Sequence, residues 1–221
     1  MKWPKILLFS ATLVTLMTCT TWADDSAKGK RQVITKTKNS EEVKEWSLEA
    51  STGALIADIR TDNTGYTLIP GSLTLGWSMD DVSLDDFCGG IFRGNTEFLF
   101  RAYGDYVYNG IESRFIGMQY GPRYNFVQPG WKWVPFVEGN VGFGFCDSQG
   151  QWRGDRQVGQ GQDFCFNFGI KAGTRYDIDE NWYIRLAGVF THFSNAGLSE
   201  PGRKNRSMDA AGPELSLGYR F

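Results

Sequence analysis

Residues 162–177 are Gln-Asp-Phe-Cys-Phe-Asn-Phe-Gly-Ile-Lys-Ala-Gly-Thr-Arg-Tyr-Asp, and this stretch decides the fold class. Successive side chains of a β-strand point to opposite faces, so every second residue shares a face. One face would carry the apolar side chains of Phe164, Phe166, Phe168, Ile170 and Tyr176. The other face would carry the polar side chains of Asp163, Asn167, Lys171 and Arg175. Such a strand is typical of a barrel wall between lipid and a polar interior.

The same alternation recurs along the chain. Between 94 and 108, the apolar residues Phe98, Phe100, Ala102, Tyr106 and Tyr108 oppose Glu97, Arg101 and Asp105. Between 131 and 146, Val137, Val141, Phe143 and Phe145 oppose Glu138 and Asn140. The predicted strands are 46–57, 66–79, 94–108, 113–127, 131–146, 162–177, 181–195 and 210–221.

Eight strands, an even number, predict an all-β fold, an eight-stranded antiparallel transmembrane β-barrel. The composition agrees, since 27 Gly, 16 Phe, 9 Tyr and 8 Trp accompany a mean hydropathy of only −0.34. The alternative is a soluble antiparallel sandwich with an aromatic core. The length of the segments and the aromatic ending Leu217-Gly218-Tyr219-Arg220-Phe221 favour the barrel.

The N-terminus predicts a secretory signal peptide over residues 1–23. Lys2 and Lys5 precede an apolar run over 6–17, and Thr21-Trp22-Ala23 is a small-x-small cleavage site. The run is too short for the ~20 residues of a transmembrane helix. Cys19 offers a lipoprotein alternative, although the residues before it are not small. Residues 24–45 would then form a flexible periplasmic lead-in, and 46–221 the barrel.

Cleavage after residue 23 would leave 21 basic and 25 acidic residues, a net charge of about −4, which argues against a nucleic-acid partner. An N-terminal periplasmic start places the long polar segments 147–161 and 196–209 outside. The links at 128–130 and 178–180 are short, as periplasmic turns should be, whereas 80–93 is longer than expected.

Two of the four cysteines, Cys146 and Cys165, flank an external loop on the lumen faces of neighbouring strands. They form either a disulfide or two free thiols, because sequence proximity does not establish bridging geometry. Cys88 has no obvious partner. With one histidine in the chain, no zinc-type Cys/His cluster is available, and neither a metal nor a cofactor is implied.

The single histidine stands in Thr191-His192-Phe193-Ser194-Asn195-Ala196-Gly197, at the external end of the seventh predicted strand. Residues two apart in a strand share a face and lie ~6.6–7 Å apart at Cα, within reach of an imidazole that serves a serine nucleophile. Parity turns His192 and Ser194 outward with the lipid-facing set. Either they act on a lipid of the outer leaflet, or they simply meet water above the bilayer.

The run His192-Phe193-Ser194-Asn195-Ala196-Gly197 resembles the signature of lipid A 3-O-deacylases of the PagL type, which continues with an Asn and an acid four residues later. Asn205 and Asp209 have that spacing here. The specific part of the resemblance covers residues 192–221. The best-characterised members carry Glu as the acid, so Glu200 and Glu214 compete with Asp209, which strand parity favours.

The resemblance implies an esterase that removes a fatty-acyl chain from lipid A of lipopolysaccharide at the cell outer membrane. Ser194 would be the nucleophile, His192 the general base and Asp209 the acid that orients it. The Asn205 side chain and the backbone N–H groups around Asn195 and Gly197 would bind the oxyanion. The alternatives are a non-catalytic structural or adhesive barrel, or a narrow pore, and a homodimer is left open.

Overall fold

The computed structural model describes residues 45–57, 65–85, 87–150, 152–153, 156–204 and 206–221, with backbone only for 152–153 and 156–157. The predicted signal peptide, Cys19, almost all of the lead-in and Asn205 lie outside these residues. The strands are β1 (Trp46–Gly53), β2 (Leu55–Ala57), β3 (Tyr66–Ser78), β4 (Gly94–Asn109), β5 (Arg114–Phe126), β6 (Trp133–Cys146), β7 (Trp152–Arg153), β8 (Arg156–Gln157), β9 (Phe164–Asp177), β10 (Trp182–Ser194) and β11 (Met208–Arg220).

The main sheet closes on itself. Each strand pairs antiparallel with its neighbours, and β1 pairs with both β3 and β11, which leaves no open edge. β1 and β2 form one barrel strand with a break at Ala54, which lies opposite Pro213 in the register. The Ala54 N–H donates to the Pro213 carbonyl at 3.1 Å, but proline has no N–H to return the bond. Counted this way, the barrel has eight strands, and the predicted fold class is confirmed.

Each predicted strand boundary lies within two residues of the observed one. The segment between β3 and β4 is as long as the sequence indicated, with a short 3₁₀ turn at Phe87–Gly90. The end of the barrel where β4, β6 and β10 finish is called the external end, and the opposite end the periplasmic end. Among the described residues no helix is long and apolar enough to cross a membrane.

The predicted faces are confirmed. The outer wall exposes the apolar side chains of the alternating segments, among them Phe100, Val141, Phe143, Phe166, Phe168 and Ile170. The inner faces bury the charged side chains, among them Glu49, Glu97, Arg101, Arg123, Glu138, Lys171, Arg185 and Glu214. The hydrophobic surface therefore faces outward and the polar core faces inward, the reverse of a soluble sandwich.

The buried charges pair across the lumen. Arg123 contacts Glu49 at 2.6 Å and Glu138 at 2.9 Å, and Arg185 contacts Glu49 at 2.8 Å. Lys171 contacts Glu214 at 2.5 Å. Eight strands leave a lumen only wide enough for side chains, and these ion pairs fill it. The structure therefore argues against the pore.

Cys146 and Cys165 are buried free thiols. Cys165 lies opposite Gly144, two residues away from Cys146. Such diagonal neighbours are ~7–8 Å apart at Cα, beyond the usual span of a disulfide. Of the two alternatives left open by the sequence, the structure has the free thiols, and Cys88 is also free and exposed.

Candidate active site

His192 and Ser194 lie on the outer wall at the external end of β10, where both are partly exposed. Thr191, which precedes them, and Phe193, which lies between them, point inward and are buried. The strand alternation thus directs the two polar side chains toward the lipid-facing side. Polar side chains on that face are costly at membrane depth, which makes the pair a candidate site.

The register between β10 and β11 sets Asp209 directly opposite His192. The Asp209 Oδ1 atom lies 2.5 Å from His192 Nδ1, and the two side chains are 25% and 24% exposed. Because directly opposite residues are the closest pair across a ladder, the short aspartate side chain reaches the imidazole. Nδ1 is thereby engaged, and Nε2 is the ring nitrogen that remains for a second partner.

The other two candidate acids lie elsewhere. Glu214 points into the lumen, where it pairs with Lys171. Glu200 lies in the loop between β10 and β11 and pairs with Arg203 at 3.2 Å. Of the three acids left open by the sequence, the structure brings only Asp209 to the histidine.

A contact that the sequence analysis did not identify holds the other side of the imidazole. Phe168 on β9 lies opposite His192, and their rings stack with centroids 4.8 Å apart and an interplanar angle of 29°. The ring of His192 therefore sits between a carboxylate on β11 and an aromatic ring on β9. The sequence assigned Phe168 only to the lipid face, because its partner depends on the register of two strands.

An apolar groove of about 470 Å³ runs across the outer wall from this pair. Two rows of opposed side chains line it: His192, Phe168, Val141 and Tyr120, and beside them Ser194, Phe166 and Phe143. The longer row crosses four strands, a span of ~14 Å at the usual strand spacing. The site is thus a polar pair at one end of a long, aromatic-walled groove that opens toward lipid.

The chain turns sharply after Ser194. Leu198 N–H donates to the Asn195 carbonyl at 2.8 Å, and Ala196 and Gly197 have φ values of 53° and 80°. Positive φ at both central residues is that of a type I′ turn. An alanine in this region costs ~1–2 kcal/mol, so the turn holds a strained residue beside Ser194.

Two of the three residues predicted to bind the oxyanion, Asn195 and Gly197, lie in this turn, whereas Asn205 lies outside the described residues. Ala196 N–H donates to Ser194 Oγ at 3.4 Å. Gly197 N–H makes no hydrogen bond within the described part of the chain, and no atom lies within 4 Å of where its Cβ would be. The Asn195 side chain is fully buried and points inward, so only the backbone there remains a donor for the outer site.

Three external loops are tied together beside the site. Glu112, buried between β4 and β5, accepts hydrogen bonds from Tyr66 Oη and, at 2.6 Å, from Gln160 N–H. The Gln160 side chain donates to the Arg206 carbonyl at 2.8 Å. This network holds the segment that leads into β11 and Asp209.

A second set of hydrogen bonds joins two of these loops, the one after β4 and the one after β6. Asp147 accepts hydrogen bonds from the hydroxyl and the N–H of Ser113 at 2.6 and 2.8 Å. Burial alone would raise the pKa of Asp147, but these bonds outweigh it and lower the pKa below its usual value. The carboxylate is therefore charged at neutral pH, and this tie weakens only on acidification.

Comparison with known proteins places the chain in a family. Among solved structures, the chain is similar to the outer membrane enzyme PagL, with 18% identity, 77% of this chain and 97% of that chain covered, and a TM-score of 0.50. It is also similar to Neisserial surface protein A, with 10% identity, 80% and 97% coverage and a TM-score of 0.51. These likenesses show a shared barrel fold.

No curated protein matches the chain. Within the described residues, no group of three or more His, Cys, Asp or Glu side chains is arranged to hold a metal ion. A family model described as lipid A 3-O-deacylase (PagL) matches residues 89–220, more than half of the chain. The chain, an outer-membrane β-barrel, therefore belongs to the PagL family of lipid A 3-O-deacylases.

Proposed function

We propose that this protein is a serine esterase that removes the 3-O-linked fatty-acyl chain from lipid A in the outer leaflet. The observation that carries the proposal is the His192–Asp209 contact on the lipid-facing wall, two residues from Ser194 and at the end of an apolar groove. Family membership supports lipid A as the substrate, and the geometry supports His192, Asp209 and Ser194 as the residues that act on it.

The reaction begins with attack of Ser194 Oγ on the ester carbonyl, while His192 Nε2 accepts the hydroxyl proton. Asp209 holds the ring through Nδ1 and stabilises the imidazolium that forms. The stacked ring of Phe168 limits rotation of the imidazole. His192 then donates the proton to the departing sugar hydroxyl, which leaves an acyl-serine and free 3-OH on the glucosamine.

Water completes the cycle. His192 takes a proton from a water molecule, the resulting hydroxide attacks the acyl-serine, and the proton returns to Ser194 as the fatty acid leaves. Each tetrahedral intermediate carries an oxyanion that needs preorganised donors. We assign this role to Gly197 N–H and, by the family resemblance, to the Asn205 side chain and the N–H of Asn195.

The surroundings fit a lipid substrate. The groove beside the pair is apolar and opens sideways, so an acyl chain reaches it without leaving the hydrocarbon region. Access from the lumen is blocked by ion pairs such as Arg101–Glu138 at 2.7 Å. The site lies at the external end, where it meets the leaflet that contains lipopolysaccharide.

The test is mass spectrometry of lipid A from outer membranes that contain the wild-type protein or the Ser194→Ala variant. We expect loss of one acyl chain with the wild type alone. Unchanged lipid A in both samples, with the protein folded and inserted, would argue for the non-catalytic barrel. Loss of the chain in both samples would instead remove Ser194 from the mechanism.

A further inference from the structure

The segment between β3 and β4, residues 79–93, is unusual for a periplasmic connection because it exposes large apolar side chains. Leu84, Phe87, Ile91 and Phe92 are between 42% and 67% exposed. Four such residues within nine positions form an exposed apolar patch, and such patches usually mark a surface that contacts lipid or another protein rather than water. We call these four residues the loop apolar surface.

Two acidic side chains of the segment, Asp80 and Asp85, form bonds within the protein although both remain exposed. Asp80 accepts a hydrogen bond from Thr96 N–H at 2.5 Å, and Asp85 pairs with Arg93 at 2.6 Å. Arg93 also donates to the Val127 carbonyl at 2.7 Å. These bonds fix the loop against the barrel, and its apolar side chains remain exposed on the outside.

The loop is attached to the outer wall rather than extended into solution. Tyr124 Oη donates to the Phe92 carbonyl, and the Phe92 ring lies 6.4 Å from that of Phe126. Phe87 in turn contacts Phe92, with ring centroids 5.6 Å apart. The loop apolar surface is therefore continuous with the lipid-facing wall at β5.

Elsewhere, paired aromatic side chains surround the periplasmic end of the barrel. These contacts are Trp46–Trp77 at 6.2 Å, Trp133–Tyr176 at 4.7 Å and Trp182–Tyr219 at 4.9 Å. They lie on β1 and β3, on β6 and β9, and on β10 and β11. Aromatic side chains that surround one end of a barrel are typical of the lipid–water boundary.

β4 carries no aromatic side chain at the outward positions of its periplasmic end. Its two outward positions nearest the periplasmic end are Gly94 and Thr96, which lie opposite Phe126 and Tyr124. A side chain at Gly94 would collide with the Asn125 carbonyl, since its Cβ would lie 2.0 Å from that oxygen. The first outward ring of β4 is therefore Phe98, which lies opposite Trp77, and Phe87 and Phe92 of the loop lie beyond it at the periplasmic end.

We propose that the loop apolar surface inserts into the headgroup–acyl boundary of the phospholipid leaflet on the periplasmic side. There it extends the ring of aromatic side chains beyond the ends of β4 and β5 and anchors the barrel at these strands. The apolar side chains are removed from water at the depth where the neighbouring tryptophans lie. This role does not depend on esterase activity.

Site-directed spin labelling tests the proposal in vesicles of phosphatidylethanolamine and phosphatidylglycerol. Single cysteines replace Phe87 or Ile91 in a Cys88→Ser background, with Leu217→Cys as the lipid reference and Asp81→Cys, on the same loop, as the water reference. We expect labels at 87 and 91 to lose accessibility to a water-soluble nickel chelate and to gain accessibility to oxygen, as at Leu217.

Two results would overturn the proposal. One is nickel accessibility at 87 and 91 equal to that at Asp81, which would place the loop in water. The other is spin–spin broadening that disappears on dilution with unlabelled protein, which would assign the surface to a second copy of the chain. The Cys88→Ser protein alone should take up no label, since Cys146 and Cys165 are buried. If one cysteine variant fails to fold, the other decides.

Discussion

Replacement of Asp209 by alanine removes a charge-assisted hydrogen bond to His192 at 2.5 Å. Such bonds contribute ~1.5–3 kcal/mol. Since both side chains are about a quarter exposed, solvent screening favours the lower part of that range, ~1.5–2 kcal/mol. At 1.36 kcal/mol per factor of ten, we expect kcat/KM to fall about 10- to 30-fold. The assay is the initial rate of fatty-acid release from lipopolysaccharide in detergent micelles.

The matched control is Glu200→Ala, which removes an acid from the loop between β10 and β11, where it forms an exposed ion pair. Exposed pairs contribute a few tenths of a kcal/mol, so the rate should change by about twofold or less. Wild-type activity in Asp209→Ala together with a large loss in Glu200→Ala would refute the argument that strand register selects the acid.

Three further predictions concern the wall, the lumen and the thiols. Phe168→Ala should lower kcat about 2- to 13-fold, because a ring contact contributes ~0.5–1.5 kcal/mol; an unchanged kcat would show that the ring does not orient the histidine. Arg123→Ala removes one cation from a buried network and leaves Glu49, Glu97 and Glu138 with only Arg101 and Arg185 as partners. This uncompensated buried charge should destabilise the barrel by about 3–5 kcal/mol in urea unfolding; an unchanged midpoint would contradict this. In the folded protein without reductant, maleimide should modify Cys88 and neither Cys146 nor Cys165, and after denaturation it should modify all three; failure of the last two to react would indicate a disulfide.

The barrel was predictable because the signal has a period of two and extends over every strand. Phe166 and Asn167 alone, one outward and one inward, fix the phase of β9. The same parity placed Glu214 in the lumen. A lipid-facing wall beside a charged interior leaves few alternative folds for such a pattern.

The site was predictable only in part. The spacing of His192 and Ser194 within one strand is a local property, so the sequence shows that they share a face. The pairing of His192 with Asp209 and with Phe168 depends on two inter-strand registers. One spans the long loop between β10 and β11, the other the short turn between β9 and β10, and neither is a property of one strand. The sequence therefore left three acids open and did not identify the stacked ring. The hydrogen bonds that Gln160 forms with Glu112 and Arg206 depend on the meeting of three loops, and no short stretch of sequence predicts them.

The lumen ion pairs also bear on the order of assembly. Arg123 on β5 contacts Glu49 on β1, 74 positions away, and β1 closes the barrel by pairing with β11 at the other end of the chain. An unclosed sheet would expose these charges to hydrocarbon, where an unpaired ion is very unfavourable. A partly assembled sheet is therefore unfavourable in free energy until β1 pairs with β11. Pairing of these two strands and neutralisation of the lumen charges should occur as one cooperative step. Pairing of β1 with β11, rather than of any other two strands, would then commit the barrel to the bilayer.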